Sequence, residues 1–191
     1  MDIVNIVIML LIGVFGGFIS GLVGVGGAII IYPAILLLPP LFGAPAYSAY
    51  IASGLTSSQV FFSTLSGSLK ARKKTEFSPQ LVLYMGGGMI IGSMLGAGGA
   101  FIIIPILLVL FKLPMNTVVA NSIVIAFISS IGAFVIKLIQ GYIPLYDALF
   151  LIIGSIIFAP IGLKLSKKVP NIIQKWIISI LIVFAIVQLI L

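Results

Sequence analysis

Long apolar stretches separated by short polar or proline-containing turns make up most of this chain. Residues 3–38 and 81–111 each exceed the roughly 20 residues that one membrane-crossing helix requires. Both contain clustered glycines followed by a proline, and we expect the first to be interrupted at Gly16, Gly17 and Gly21 as well as at 24–27. The remaining stretches have the length of ordinary spans, at about 47–69, 115–138, 147–165 and 172–191.

These apolar stretches predict helices rather than strands. In hydrocarbon every backbone N–H and C=O group must be paired within the protein, which leaves helices and closed barrels. Barrel strands would alternate apolar and polar positions, whereas these segments are apolar on all sides. The predicted fold class is therefore all-α, a polytopic transmembrane helical bundle.

Composition supports a membrane protein and excludes several functions. Of the 191 residues, 62% are hydrophobic and 7% are charged, against roughly 25% charged residues in a soluble domain. So little polar surface excludes a soluble globule and a disordered chain. The chain has no Cys, no His and only three Asp plus Glu, so disulfides, metal sites and intramembrane catalysis lack their usual side chains. We predict no enzymatic activity, no cofactor and no metal.

The net charge of +7 comes from cations that flank apolar spans, chiefly at 70–74 and 164–175. Such cations are typical of loops facing anionic lipid, and we predict no nucleic-acid partner. If residues 81–111 crossed the membrane once, the two basic turns would face opposite sides. If 81–97 and 98–111 are separate crossings, or if one is re-entrant, both turns face the cytoplasm, and we favour this second arrangement.

The chain contains an internal repeat. Residues 24–38 match residues 96–110 at an offset of 72, and both begin with a Gly-rich motif that precedes a proline, Pro33 in the first copy and Pro105 in the second. A second register with an offset of 65 aligns Thr56-Ser57 with Asn121-Ser122. Each unit therefore reads as a Gly-rich break, a Pro-bearing half-helix and a span with small polar residues. We predict two transmembrane repeats, residues 1–95 and residues 96–191.

Paired Gly/Pro-broken helices in two halves indicate the binding site of a secondary transporter. A break frees backbone N–H groups, and the N-terminus of the following half-helix carries a partial positive charge that suits an anion. The alternative is that the glycines only let helices pack closely. The duplication and the matching prolines favour the substrate-facing break.

The doubled motif, Gly-Val-Gly-Gly-Ala-Ile-Ile-Ile-Tyr-Pro from residue 24 and its copy from residue 96, resembles the repeated signature of the TauE/SafE sulfite exporter family, also called the toluene sulfonate uptake permease family. The resemblance covers nearly the whole chain. It implies a multi-pass protein of the cell membrane that moves sulfite, sulfonates or other organosulfur anions. Family members have four segments in each unit, and this chain departs from them because its first unit is short by one segment.

Eleven residues are the substrate-binding candidates. They are the motif glycines and the polar residues that begin the following spans: Gly24, Gly26, Gly27, Thr56, Ser57, Gln59, Gly96, Gly98, Gly99, Asn121 and Ser122. The hydroxyls and amides would donate to the oxygens of the anion, or would instead join helices to each other by hydrogen bonds. Gln59 is the side chain most costly to leave unpaired.

The sequence therefore predicts a permease for a small anionic substrate in a lipid bilayer, with two Gly-rich breaks that meet near the bilayer midplane. A non-transporting membrane scaffold with the same fold is the alternative, and the shortened first unit is its best support. Homo-oligomerisation, the identity of the anion, the direction of transport and the coupling ion are left open.

Overall fold

The computed structural model describes residues 3–24, 26–71, 82 and 115–190. Helices make up these ranges, together with the short turns that connect them: α1 (Ile3–Val23), α2 (Ala28–Leu41), α3 (Ala49–Ala71), α4 (Met115–Ile139), α5 (Leu145–Ser166) and α6 (Asn171–Ile190). Three of these helices, α1, α4 and α5, are long and apolar enough to cross a membrane. The predicted all-α membrane bundle is confirmed, while the second glycine motif and the rest of 83–114 lie outside the described residues.

The bundle buries small polar side chains and exposes large apolar ones. Hydroxyl and amide residues of α3 such as Ser58, Gln59 and Ser63 are fully buried. Phe15, Leu37 and Ile157 are more than half exposed. This arrangement would be unstable in water, and it is typical of a bundle whose outer solvent is lipid and whose polar residues face the interior.

Helices α1 and α5 approach each other backbone to backbone. A Cβ added to any of three glycines spaced four residues apart on α1 would overlap the backbone of α5. The contacts are Gly13 with Leu151, Gly17 with Ser155, and Gly21 with Ala159. The expectation that Gly16, Gly17 and Gly21 interrupt the first helix is therefore wrong. They lie within α1, because small residues at this spacing let membrane helices pack closely and do not need to break them.

Helices α1, α3 and α5 run in the same direction. Residue numbers rise together on α1 and α5 along the glycine contacts. They also rise together on α1 and α3, where Gly16 lies beside Gln59 and Ser20 beside Ser63. The exposed lysines at the C-terminal ends of α3 and α5, Lys70 and Lys164 among them, therefore share one end of the bundle. This geometry agrees with the favoured prediction that both basic turns face the same side.

Helices α3 and α4 pack in opposite directions. Gly67 lies against Ile123 at one end of the contact, and the rings of Phe61 and Phe134 stack with centroids 4.6 Å apart further along. These are the two helices that the offset of 65 aligns with each other. The equivalent segments of the two repeats therefore cross the bundle with opposite polarity.

Among the described residues, two apolar clusters fill the interior, one toward each end. The first includes Val23 of α1, Ile123 of α4 and Leu163 of α5. The second includes Ile35 of α2 together with Ile12 of α1, Leu55 of α3 and Leu151 of α5. Gln59 and Ser63 of α3 belong to neither cluster and lie between them along the helix, so the core has a polar layer near the middle of the bundle.

Candidate functional site

The chain is interrupted at the first glycine motif, as the sequence indicates. Helix α1 ends at Val23, where the Gly24 N–H donates to the Ser20 carbonyl over 2.8 Å, and α2 begins at Ala28. Gly24, Gly26 and Gly27 have φ of +81°, +87° and +78°. Side chains with a Cβ are strained in this left-handed region. The motif therefore requires glycine for its backbone conformation.

The interruption turns the chain back into the bundle. A Cβ on Gly27 would lie 2.8 Å from the Gly16 carbonyl oxygen, so α2 starts beside Gly16. That point is about 20 Å along α1, whose 21 residues span about 31 Å. At the far end of the α2–α3 connection, the Tyr47 hydroxyl accepts a hydrogen bond of 2.7 Å from Asn5, near the start of α1. Helix α2 is therefore a half-helix whose N-terminus lies just past the middle of α1.

The N-terminus of α2 lacks a side-chain cap. Gly27 occupies the N-cap position and offers no side-chain acceptor to the first N–H groups of the helix. Four N–H groups at the start of any α-helix have no partner within the helix, and the helix dipole adds roughly half a positive charge there. Gly26 and Gly27 are themselves buried. The partial charge is therefore directed into the protein rather than into water.

Gln59 lies beside this helix start. A Cβ on Gly16 would overlap the side chain of Ile31, in the first turns of α2, and would lie 3.3 Å from Gln59 Nε2. The Gln59 side chain is 0% exposed, and neither Nε2 nor Oε1 has a hydrogen-bond partner. A buried amide without partners costs about 1–3 kcal/mol per unsatisfied group, so its position requires a functional explanation.

Three hydroxyl residues that the sequence did not single out, Ser20, Ser63 and Thr64, lie on α1 and α3 close to the break. Ser20 and Ser63 bring their Oγ atoms to 3.2 Å of each other. A Cβ on Gly26 would lie 3.0 Å from Cγ1 of Val60 and 3.7 Å from Cγ2 of Thr64. The signal that could have found them is spacing, because Ser63 lies four residues after Gln59 and so shares its face of α3.

The remaining predicted substrate-binding residues differ in their surroundings. A Cβ on Gly24 would overlap Oγ of Ser122, so Ser122 of α4 lies against the first break. Thr56 and Ser57 donate to the Ala52 and Ser53 carbonyls of their own helix, over 2.7 and 2.8 Å. Asn121 is fully buried, and its Nδ2 donates to the Thr117 carbonyl over 2.7 Å. The candidates Gly96, Gly98 and Gly99 lie outside the described residues.

A second polar cluster joins the N-terminal ends of α1 and α5 to the α2–α3 connection. It lies at the end of the bundle opposite the basic turns. Nδ2 of Asn5 donates to the Tyr47 hydroxyl and, over 3.1 Å, to Asp147 Oδ1. Asp147 lies in the first turn of α5, whose N-cap residue is Pro144. Its negative charge there interacts favourably with the N-terminal end of the helix dipole. Burial raises the pKa of Tyr47 to about 12.

Comparison with known proteins identifies the family. A family model described as sulfite exporter TauE/SafE matches residues 9–98 and 92–189. The chain belongs to this family. The two matches together cover nearly all of the TauE/SafE chain, in agreement with the two repeats read from the sequence. The glycine break and the α2 half-helix described above lie within the first match.

One similar protein is described as a membrane transporter. The chain is 30% identical over 81 residues to the probable membrane transporter protein YunE of Bacillus subtilis (strain 168). The aligned part covers 42% of this chain and 30% of that protein, so it spans less than a third of the relative. No solved structure matches the chain. Family membership places this chain among membrane transporters, and it leaves the substrate to be argued from the site.

Proposed function

We propose that this protein is a multi-pass permease of the cell membrane that moves a small anion, such as sulfite or a sulfonate, through a site at the start of α2. One observation carries the proposal. The fully buried amide of Gln59 has no hydrogen-bond partner and lies beside an uncapped helix N-terminus just past the middle of α1. An anion in this position would accept hydrogen bonds from the amide N–H groups and from the helix end together.

The charges around the site favour an anion over a cation. Within the described ranges the sole acidic side chain is Asp147, which lies at the end of the bundle where α1 begins. Moving an anion from water into a low-dielectric interior is costly unless fixed dipoles replace its hydration. The first N–H groups of α2, the Gln59 amide and the nearby hydroxyls supply such dipoles without any net charge.

Both repeats contribute to the proposed site. Ser122 of α4 packs on Gly24 of the first break, although α4 belongs to the second predicted unit, residues 96–191. Because α3 and α4 are equivalent in the repeat and antiparallel, we propose an inverted repeat about an axis in the membrane plane. In such transporters, alternating access comes from movement of one repeat against the other around a shared site. Gly96, Gly98 and Gly99 are proposed as the second half of the site.

Flux through reconstituted protein tests this function. Proteoliposomes that contain the wild-type chain should take up radiolabelled sulfite against a protein-free control. Gln59→Met keeps the length of the side chain and removes both polar atoms, so uptake at low substrate concentration should fall at least about tenfold, since a hydrogen bond to a charged group contributes roughly 1.5–3 kcal/mol.

The matched control lies on the same helix. Ser68 is also buried in α3, and its hydroxyl donates to the Leu65 carbonyl over 2.9 Å, so Ser68→Ala should leave uptake unchanged. Equal uptake by the wild type and Gln59→Met would remove the site from the pathway. If the wild type supports no flux of any tested anion, the alternative of a non-transporting membrane scaffold gains support.

A further inference from the structure

We infer that the anion held at Gln59 carries a hydrogen-bond donor of its own as well as a charged oxygen. This inference rests on the proposed function and specifies the chemistry of its substrate. The shared chemistry is that of a monoanion with one remaining O–H group. Hydrogen sulfite and hydroxyl-bearing sulfonates both belong to this class.

The starting point is the two unpaired ends of the Gln59 amide. Nε2 is a donor with two hydrogens and Oε1 is an acceptor, and each lacks a partner in the folded chain. Of the described residues at the Gly16 contact, Gly16 itself has no side chain and Ile31 has a hydrocarbon side chain, so neither offers a side-chain donor to the amide. A substrate that satisfies the whole amide must therefore supply a donor to Oε1 as well as an acceptor to Nε2.

The helix start imposes the opposite requirement. The backbone groups that lack an intrahelical partner at the beginning of α2 are N–H donors, so they pair only with acceptors. Gln59 Nε2 is a donor as well. One side of the substrate must therefore carry charged oxygen atoms, while the side toward Oε1 must carry hydrogen on oxygen or nitrogen. A halide, or an oxyanion without any O–H group, satisfies the first requirement only.

The penalty for the wrong ligand follows from burial. Binding of an acceptor-only anion leaves Gln59 Oε1 buried away from water and unpaired. It also places this negatively polarised oxygen close to the negatively charged atoms of the anion. Sites built to pair with a hydroxyl group discriminate strongly against analogues that lack it. An unpaired buried acceptor alone predicts at least about tenfold weaker binding.

Two matched pairs of anions test this inference by calorimetric titration of the full chain in nanodiscs. Hydrogen sulfite is compared with methanesulfinate, in which a methyl group replaces the hydroxyl group at the same charge. The second pair is 2-hydroxyethanesulfonate and propane-1-sulfonate. In each pair the wild type should bind the hydroxyl-bearing member at least about tenfold more tightly. The pair that shows the difference indicates whether the donor lies on the sulfur centre or on a side group.

The variants test whether the preference for the hydroxyl-bearing anion depends on the Gln59 amide. In Gln59→Met the ratio within each pair should fall toward one, because the acceptor is gone. Ser68→Ala should keep the wild-type ratio. A ratio near one in the wild type, with both members binding and both weakened in Gln59→Met, would overturn the inference and leave the proposed anion site intact. A preference that persists in Gln59→Met would also overturn it, and binding of neither pair would contradict both proposals.

Discussion

Ser20 of α1 and Ser63 of α3 face each other across 3.2 Å between their hydroxyl oxygens, and each lies four residues beyond one member of the Gly16–Gln59 contact. The two pairs therefore form successive turns of one helix interface. At the level of Ser20 and Ser63, the two hydroxyl groups hydrogen-bond to each other. One turn earlier, Gly16 has no side chain to pair with the amide of Gln59, which is left without a partner. The interface between α1 and α3 thus has a hydrogen-bonded pair and an unpaired amide on neighbouring helical turns.

The open amide predicts a trade-off between stability and transport. Gln59→Met removes two buried unsatisfied atoms, so the ligand-free protein should become more stable by about 1–3 kcal/mol. A rise in Tm measured by differential scanning calorimetry in detergent would show this gain. A fall in Tm would indicate that Gln59 has a structural partner, and it would weaken the argument that the site binds substrate.

The glycine break predicts that alanine substitutions at two glycines of similar backbone conformation have different effects on transport. Gly26 and Gly43 have φ of +87° and +78°, so alanine at either position strains the backbone by about 1 kcal/mol. A Cβ at Gly43 meets no atom within 4 Å, whereas at Gly26 it would lie 3.0 Å from Val60 Cγ1. Sulfite flux should fall severalfold in Gly26→Ala and stay near the wild-type level in Gly43→Ala. Equal losses in the two variants would show that backbone strain alone matters.

The backbone contact between α1 and α5 predicts a strong folding defect. A leucine at Gly17 would collide with the backbone of Ser155, and backbone cannot repack as a side chain can, so Gly17→Leu should destabilise the bundle by about 3 kcal/mol, the upper end of the usual range for overpacking. The measurement is the monodisperse fraction in size-exclusion chromatography. Phe15→Leu on the same helix is the control, because Phe15 is 63% exposed. Normal folding of Gly17→Leu would contradict the described contact.

The Asn5 cluster predicts coupling between α1 and α5. Asn5→Ala and Asp147→Ala each remove one side of the 3.1 Å hydrogen bond between these residues. A double-mutant cycle on thermal unfolding should therefore give an interaction energy of about 1 kcal/mol, a typical value for polar contacts between membrane helices. Purely additive effects of the two substitutions would show that this bond does not join the helices.

The raised pKa of the Tyr47 hydroxyl predicts that the protein loses stability at alkaline pH. Burial raises its pKa from 10.0 to about 12, and the bond from Asn5 opposes this shift. Because the folded-state pKa lies above the unfolded value, the stabilisation is fully present below about pH 10 and is lost as pH rises through about 12. Ultraviolet difference titration of the wild type against Tyr47→Phe should resolve one tyrosine that ionises late. Ionisation of that group near pH 10 would contradict its burial.

Several parts of the structure follow from local chemistry, and the sequence therefore predicts them. Glycine is the residue that adopts positive φ without strain, so the motif at 24–27 predicts the interruption between α1 and α2. Apolar length predicts the spans, and α4 at Met115–Ile139 differs from its predicted range by one residue. Gln59 could be selected from its residue type alone, because a primary amide is costly to bury unpaired in any membrane fold.

Contacts between distant segments needed the tertiary structure. No local rule distinguishes Gly17, which packs on α5, from Gly26, which breaks the chain, since both residues are glycine and only their neighbours in space differ. The same holds for the pairing of Ser20 with Ser63, for Asn5 beside Asp147 and for the opposite directions of α3 and α4. Sequence by itself determined that the chain is a membrane bundle with a glycine break, because backbone conformation and transfer from water depend on residue type. Only the tertiary structure decided which polar groups remain unpaired beside that break, because pairing depends on distances between helices.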